Sequence, residues 1–272
     1  MTKFAFDRKI VVRGGGDLAT GVIQKFVRAG FPVVILEIGA PTAIRRGVAL
    51  CEAVYDGAAQ VEDIVCRKVA GVHECEDCWR AGAVPILIDP VGAAIAEIKP
   101  AAVVDATLAK SNLGTHRGMA AITIALGPGF SADQDVNVVI ETMRGHDLGR
   151  LIFQGSASAD TGIPGDIGGE SVQRVLRAPA AGVIQHVKQL GDIAEAGAVL
   201  FTIGGEEVRA PFTGVLRGLI RGGLRVPKGM KVADIDPRTD VNWRTISDKA
   251  RNLGGAALEA FFLFAKTALP AT

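Results

Sequence analysis

The sequence predicts an α/β protein in three parts: a Rossmann-like parallel-sheet domain over residues 1–172, a duplicated all-β module over 173–238, and a C-terminal helix over 239–272. Three observations carry that reading. A glycine-rich turn lies between a short apolar strand and an amphipathic run. A series of short, nearly continuous apolar segments follows it, as strands buried on both faces require. Then one segment occurs twice: 175–183, Val-Leu-Arg-Ala-Pro-Ala-Ala-Gly-Val, returns at 207–215 as Glu-Val-Arg-Ala-Pro-Phe-Thr-Gly-Val.

The first strand is 9–13, Lys-Ile-Val-Val-Arg. Gly14-Gly15-Gly16-Asp17-Leu18-Ala19 follows, and Leu18, Val22, Phe26 with Ile23 and Val27 recur at helical spacing. Gly30 suits a helix C-terminus, and 32–37, Pro-Val-Val-Ile-Leu-Glu, is the second strand. The unit is βαβ with Gly14-x-Gly16-x-x-Ala19 at its turn and Glu37 closing the second strand. Glycines there let backbone N–H groups approach a phosphate at the helix N-terminus, and the acid is placed for a ribose hydroxyl. Further strands are expected at 61–69, 84–89, 101–105, 121–126 and 151–153, in a largely parallel set.

A ligand of an open parallel sheet sits beyond the carboxyl ends of its strands. Those ends carry Gly14 to Asp17, Glu37, Asp105, Lys110, Gly127 and Gly129, and Arg45 and Arg46 follow the second strand. Cations combined with glycine loops suit an anionic, nucleotide-containing ligand such as NAD(P) or another dinucleotide. Lys110 and His146, which stands beside Asp147, are the acid/base candidates should the domain catalyse a reaction.

Cys66, His73, Cys75 and Cys78 fall close together, and Cys75-x-x-Cys78 has a spacing that suits zinc. The same residues fit a helix spanning 73–80 with both cysteines on its buried face, and there is no second Cys-x-x-Cys pair. The core reading is the one adopted, with Cys51 also assigned to the core.

In the duplicated part, Val183, Gln185 and Val187 alternate as a strand does, and Gly191, Gly197 and Ile203 correspond to Gly223, Gly229 and Ile235. Ala-Pro-x-x-Gly-Val followed by a glycine turn and a short apolar strand resembles the biotinyl and lipoyl carrier domains. That resemblance implies a barrel-sandwich hybrid of two interlocked halves. The carriers hold a modified lysine on the hairpin between their halves; here that hairpin is Gly204-Gly205-Glu206-Glu207, with no lysine from 191 to 211. Neither biotin nor lipoate is expected, and the module is read as structural or docking. The closing helix is expected to start near Ile246, to break or bend at Gly254-Gly255, and to lay an apolar face on a domain or a second copy of the chain.

Composition narrows the function classes. A net charge of +1 without a basic block argues against nucleic acid. The most apolar run, 256–265, is short and holds Glu259, so no membrane span is expected. The first residues, Met1 to Arg8, place charges where a signal peptide needs an apolar core, and four cysteines then suggest a reducing cytoplasm.

Taken together, Arg13-Gly-Gly-Gly-Asp-Leu-Ala-Thr-Gly21, Pro41-Thr-Ala-Ile-Arg-Arg46, Leu126-Gly-Pro-Gly-Phe130, Glu141-Thr-Met-Arg-Gly-His-Asp-Leu-Gly149, Thr161-Gly-Ile-Pro-Gly165, Ala210-Pro211, Asp234-Ile-Asp-Pro-Arg238 and Ser247-Asp-Lys-Ala-Arg251 resemble the YqeB-like family. The resemblance implies an accessory, maturation role in a selenium-dependent molybdenum hydroxylase system. The hydroxylase or its maturation factors would be the partners, and NAD(P) or a molybdopterin dinucleotide the ligand. Two other readings stay open at the level of sequence: an NAD(P)-dependent oxidoreductase, and a non-catalytic docking scaffold.

Overall fold

The computed structural model describes residues 7–162 and 167–268, so the 161–165 motif lies partly outside the described residues. Two compact units are present. The first takes the chain up to Pro41, Ala49–Asp160 and the chain from Ile246 on; the second takes Thr42–Val48 and Thr161–Thr245. The divisions expected at 172 and 238 thus lie at 160 and 245, and a short segment from the front of the chain packs within the β module.

The first unit contains β1 (Ile10–Arg13), α1 (Asp17–Arg28), β2 (Val33–Glu37), α2 (Ala53–Asp56), β3 (Ala58–Val61), β4 (Ile64–Lys68), α3 (Cys75–Arg80), β5 (Val84–Ile88), α4 (Ile95–Ile98), β6 (Ala102–Asp105), β7 (Ile122–Leu126), β8 (Val138–Ile140) and β9 (Leu151–Ile152). Its nine strands form one sheet in the order β3-β4-β5-β2-β1-β6-β7-β8-β9. From β4 to β8 every pairing is parallel. β1, β6 and β7 are buried along their whole length, which explains their unbroken apolar sequence.

Both edges differ from expectation. The segment 61–69 is not one strand: the chain reverses at Glu62 and Asp63, and β3 pairs antiparallel with β4. The strand expected at 151–153 pairs antiparallel with β8, a three-residue strand too short to announce itself by periodicity.

The unit is closed by α5 (Asp248–Ala268), a continuous helix without the expected break. Gly254 is where α5 meets α1. A Cβ built on Gly254 would stand 2.3 Å from the Gly21 carbonyl oxygen, and one on Gly21 would stand 2.2 Å from that of Ala250. The glycines therefore permit backbone contact between two helices. Phe26, Phe31 and Phe261 seal the same contact edge to face, with centroids 4.9–5.8 Å apart.

The second unit contains β10 (Val175–Arg177), β11 (Gly182–His186), β12 (Ile193–Ala194), β13 (Val199–Ile203), β14 (Glu206–Arg209), β15 (Gly214–Leu219), β16 (Arg225–Val226) and β17 (Lys231–Asp236). They form two four-stranded sheets, β10-β17-β15-β12 and β14-β13-β11-β16. Each sheet takes two strands from each copy of the repeat, so the halves are interleaved. Ile184, Leu200, Phe201 and Ile203 from one copy share a core with Leu216, Leu219, Val232 and Ile235 from the other.

Candidate functional site

The order of the large sheet reverses between β1 and β6: the chain proceeds outward from β1 through β2 on one side and from β6 through β7 on the other. Such a switch point opens a crevice at the carboxyl ends of the strands. The glycine turn lies there, between β1 and α1.

The three glycines have separate tasks. Gly14 has φ +93, and a Cβ on it would lie 3.1 Å from the Ala106 carbonyl oxygen, so the turn is backed by the chain leaving β6. Gly15 is backed by a short 3-10 turn, Leu50–Glu52: its carbonyl accepts the Cys51 N–H at 2.8 Å, and a Cβ would meet that nitrogen at 3.1 Å. Gly16 has nothing within 4 Å of its Cβ direction. It precedes Asp17 at the start of α1, whose N-terminus has no side-chain cap. Ala19 is buried.

Glu37 reaches back to this turn. Gly15 N–H donates to Oε2 and Ile38 N–H to Oε1, each at 2.8 Å. Burial pushes its carboxyl up, and these two backbone donors oppose the shift. One acceptor site on each oxygen is thus committed to the backbone.

Asp105 was expected to face the ligand; instead it is fully buried at the end of β6, register partner of Arg13. Arg13 Nη1 lies 3.5 Å from Asp105 Oδ2 and donates to Thr115 Oγ1. Thr115 Oγ1 donates to Asp105 Oδ2 at 2.5 Å and Thr107 Oγ1 to Oδ1 at 2.7 Å. With its oxygens used inside the protein, Asp105 fastens the loop after β6 to β1. Gly127 and Gly129 are likewise held against protein: Cβ atoms there would meet Thr142 Oγ1 at 2.9 Å and the Ala109 carbonyl at 3.1 Å.

The cations expected to converge are distributed differently. Lys110 is 83% exposed and pairs with Asp160 at 3.2 Å. Arg45 and Arg46 belong to the second unit, where Arg46 Nε donates to the Leu219 carbonyl at 2.6 Å and Leu219 N–H to that of Ile44 at 2.8 Å. The segment after β2 extends the edge of β15, a pairing between distant residues that charge spacing cannot reveal. His146 is exposed.

Cys66, Cys75 and Cys78 are buried, while the His73 side chain is 77% exposed. Cys75 and Cys78 pack with Trp79, Leu87 and Val69. Among the described residues no group of three potential ligands is placed to hold a metal. Burial pushes the Cys75 thiol up to about 12, with neighbouring Cys78 adding to the shift.

Sequence reasoning missed Lys249. It lies in the first turn of α5, half-buried, among charges from three other segments. Burial lowers its pKa; Arg144 adds to the shift, and Asp17, Glu141 and Asp160 oppose it. Arg144 is pinned by two bonds to Asp248, at 2.9 and 3.0 Å. Glu141 is buried and occupied by the N–H groups of Met143 and Ser158, at 2.7 and 2.8 Å. The one signal for Lys249 in the sequence is its place in the Ser247–Arg251 motif.

No helix among the described residues is long and apolar enough to cross a membrane. No protein-family model matches the chain. Among solved structures, an aspartoacylase family protein from Mesorhizobium loti aligns with a TM-score of 0.25 at 11% identity, over 79% of this chain and 60% of that one. The apo ectoine utilization protein EutE from Ruegeria pomeroyi aligns with a TM-score of 0.25 at 8% identity, over 83% and 85%. Likenesses this distant carry no argument. By sequence, the curated protein YqeB of Escherichia coli (strain K12), itself named as uncharacterized, is 46% identical over 264 residues, which is 97% of this chain and 49% of that protein. The chain spans about half the length of that relative. Motifs and alignment thus point the same way, and the family they support for this chain is that of the YqeB-like proteins.

Proposed function

We propose that this chain binds a nucleotide-containing anionic ligand, NAD(P) or a molybdopterin dinucleotide, as an accessory protein in the maturation of a selenium-dependent molybdenum hydroxylase. The observation that carries the binding reading is Gly16: at the switch point of a parallel sheet, it alone of the three turn glycines lies open, at an uncapped helix N-terminus. Gly14 and Gly15 shape the turn from behind, and Glu37 keeps acceptor capacity for a ribose hydroxyl. The hydroxylase link rests on the family resemblance. The β module is a barrel-sandwich hybrid in this reading, supported by its interleaved halves. It presents a docking surface, because the Gly204–Glu207 hairpin has no lysine to modify.

Native mass spectrometry of protein purified without dialysis tests the ligand directly, since a retained dinucleotide is weighed. Gly16→Val is expected to abolish nucleotide binding in calorimetry while the fold survives, because the side chain enters open space in the folded protein. Unchanged affinity would remove the site from this turn. Turnover of NAD(P)H would favour an oxidoreductase, and capture of the hydroxylase without any ligand would favour a scaffold.

A further inference from the structure

We propose that Lys249 is the side chain that receives a phosphoryl group of the ligand at the glycine turn. The inference rests on the nucleotide-binding reading and names a residue for it. Ala250, its neighbour, has its carbonyl against Gly21, which sets the first turn of α5 beside the opening turns of α1. Lys249 therefore lies at the end of the helix crossing where α1 begins, close enough to Asp17 to feel its charge. Its ammonium makes no hydrogen bond or ion pair with any described residue, although the side chain is half-buried. A cation withdrawn from water without a partner costs stability, and an anionic ligand would offset that cost.

The surrounding charges define the ligand. Arg144 is held beside Lys249 by Asp248, so two cations share the position. The carboxylates that act on Lys249 are engaged elsewhere in part: Glu141 with backbone N–H groups and Asp160 with Lys110. Asp17 stands in the first turn of α1. The carboxylates oppose an anion, whereas Lys249 and Arg144 together suit a compact phosphoryl group able to contact both cations. Binding is expected to favour the charged ammonium, so affinity should weaken as pH rises through the amine's lowered pKa.

The test uses the full chain and inorganic pyrophosphate as the probe. By calorimetry, Lys249→Gln is expected to weaken pyrophosphate binding at least tenfold and to lose the fall in affinity with rising pH. Lys249→Arg, which keeps the charge, should bind within about threefold of the parent, without that fall. As a measurement independent of the variants, reductive methylation with a carbon-13 label should show the Lys249 amine titrating at higher pH once pyrophosphate is added. A Gln variant that binds like the parent, or an amine whose titration ignores pyrophosphate, overturns the assignment. If that happens while Gly16→Val still abolishes binding, the nucleotide reading stands and only Lys249 is wrong. If the parent binds neither pyrophosphate nor a nucleotide, both fail.

Discussion

Gly254 and Gly255 are adjacent, yet alanine at the two positions should have opposite effects. At Gly254 the added Cβ would stand 2.3 Å from the Gly21 carbonyl oxygen. An ordinary carbon–oxygen contact is about 3.3 Å or more, so the helices must part by roughly 1 Å. The obstacle is backbone, so no side-chain rotation relieves it. Overpacking of this kind costs about 1–3 kcal/mol, and separating the helices also weakens the contacts of Phe26, Phe31 and Phe261. Against that, alanine gains about 1 kcal/mol of helix propensity. Gly254→Ala is therefore expected to destabilise by up to about 2 kcal/mol. At Gly255 nothing lies within 4 Å, so Gly255→Ala should keep the propensity gain and stabilise by up to about 1 kcal/mol. Urea unfolding measures both, as midpoint shifts of opposite sign at an unchanged slope. In thermal unfolding each kcal/mol should shift the melting temperature of the first unit by about 2–4 °C. Equal effects from the two alanines would refute the crossing and restore a helix that bends at this pair.

Arg13→Met should leave the buried Asp105 without its cation and cost about 3–5 kcal/mol by urea unfolding; a loss under about 1 kcal/mol would mean the pair is not buried. The buried thiols should resist an aromatic disulfide reagent at pH 8 until the protein unfolds, and purified protein should contain well under one zinc per chain. Stoichiometric zinc lost in Cys75→Ser would overturn the core assignment. In the second unit, Asp236 is fully buried, which by itself would raise its pKa, but bonds from Arg238 and the nearby Arg217 hold it below the ordinary value of 3.8. The stability this contributes is fully present above pH 3.8 and is lost as pH falls through the lowered value. Arg238→Ala should accordingly move the acid-unfolding midpoint of that unit to higher pH, followed by circular dichroism; an unmoved midpoint would show that Arg238 does not govern the titration.

The parts of the fold that local sequence determines were legible. The βαβ unit around Gly14–Ala19 follows from periodicity and glycine placement, and the repeat follows from identity between its copies. What escaped was set by contacts between distant residues. Gly21 and Gly254 carry no mark that distinguishes a contact glycine from a helix breaker. Cys51 backs the glycine turn although neither residue's neighbours suggest it. Glu37 was rightly placed at the end of β2, yet its bond to Gly15 is visible only in three dimensions. Arg46 looks like a ligand-facing cation until Leu219 is found to accept its Nε hydrogen. Lys249 and Asp17 are far apart in the chain and become neighbours only because two helices meet at glycine.

The helix that closes the first unit, α5, follows the whole β module in the sequence. During synthesis, α1 emerges early but its partner face on α5 appears only after the whole β module has left the ribosome. The module needs nothing later than Thr245, and its early segment Thr42–Val48 is already available. It can therefore finish folding while α1 still shows Phe26 to solvent. Domains tend to fold in the order in which they are made; here the first unit begins before the module and can close only after it, once α5 has emerged. A chain stopped short of Asp248 would lack the helix that covers α1, so the arrival of α5 is the step that closes the first unit.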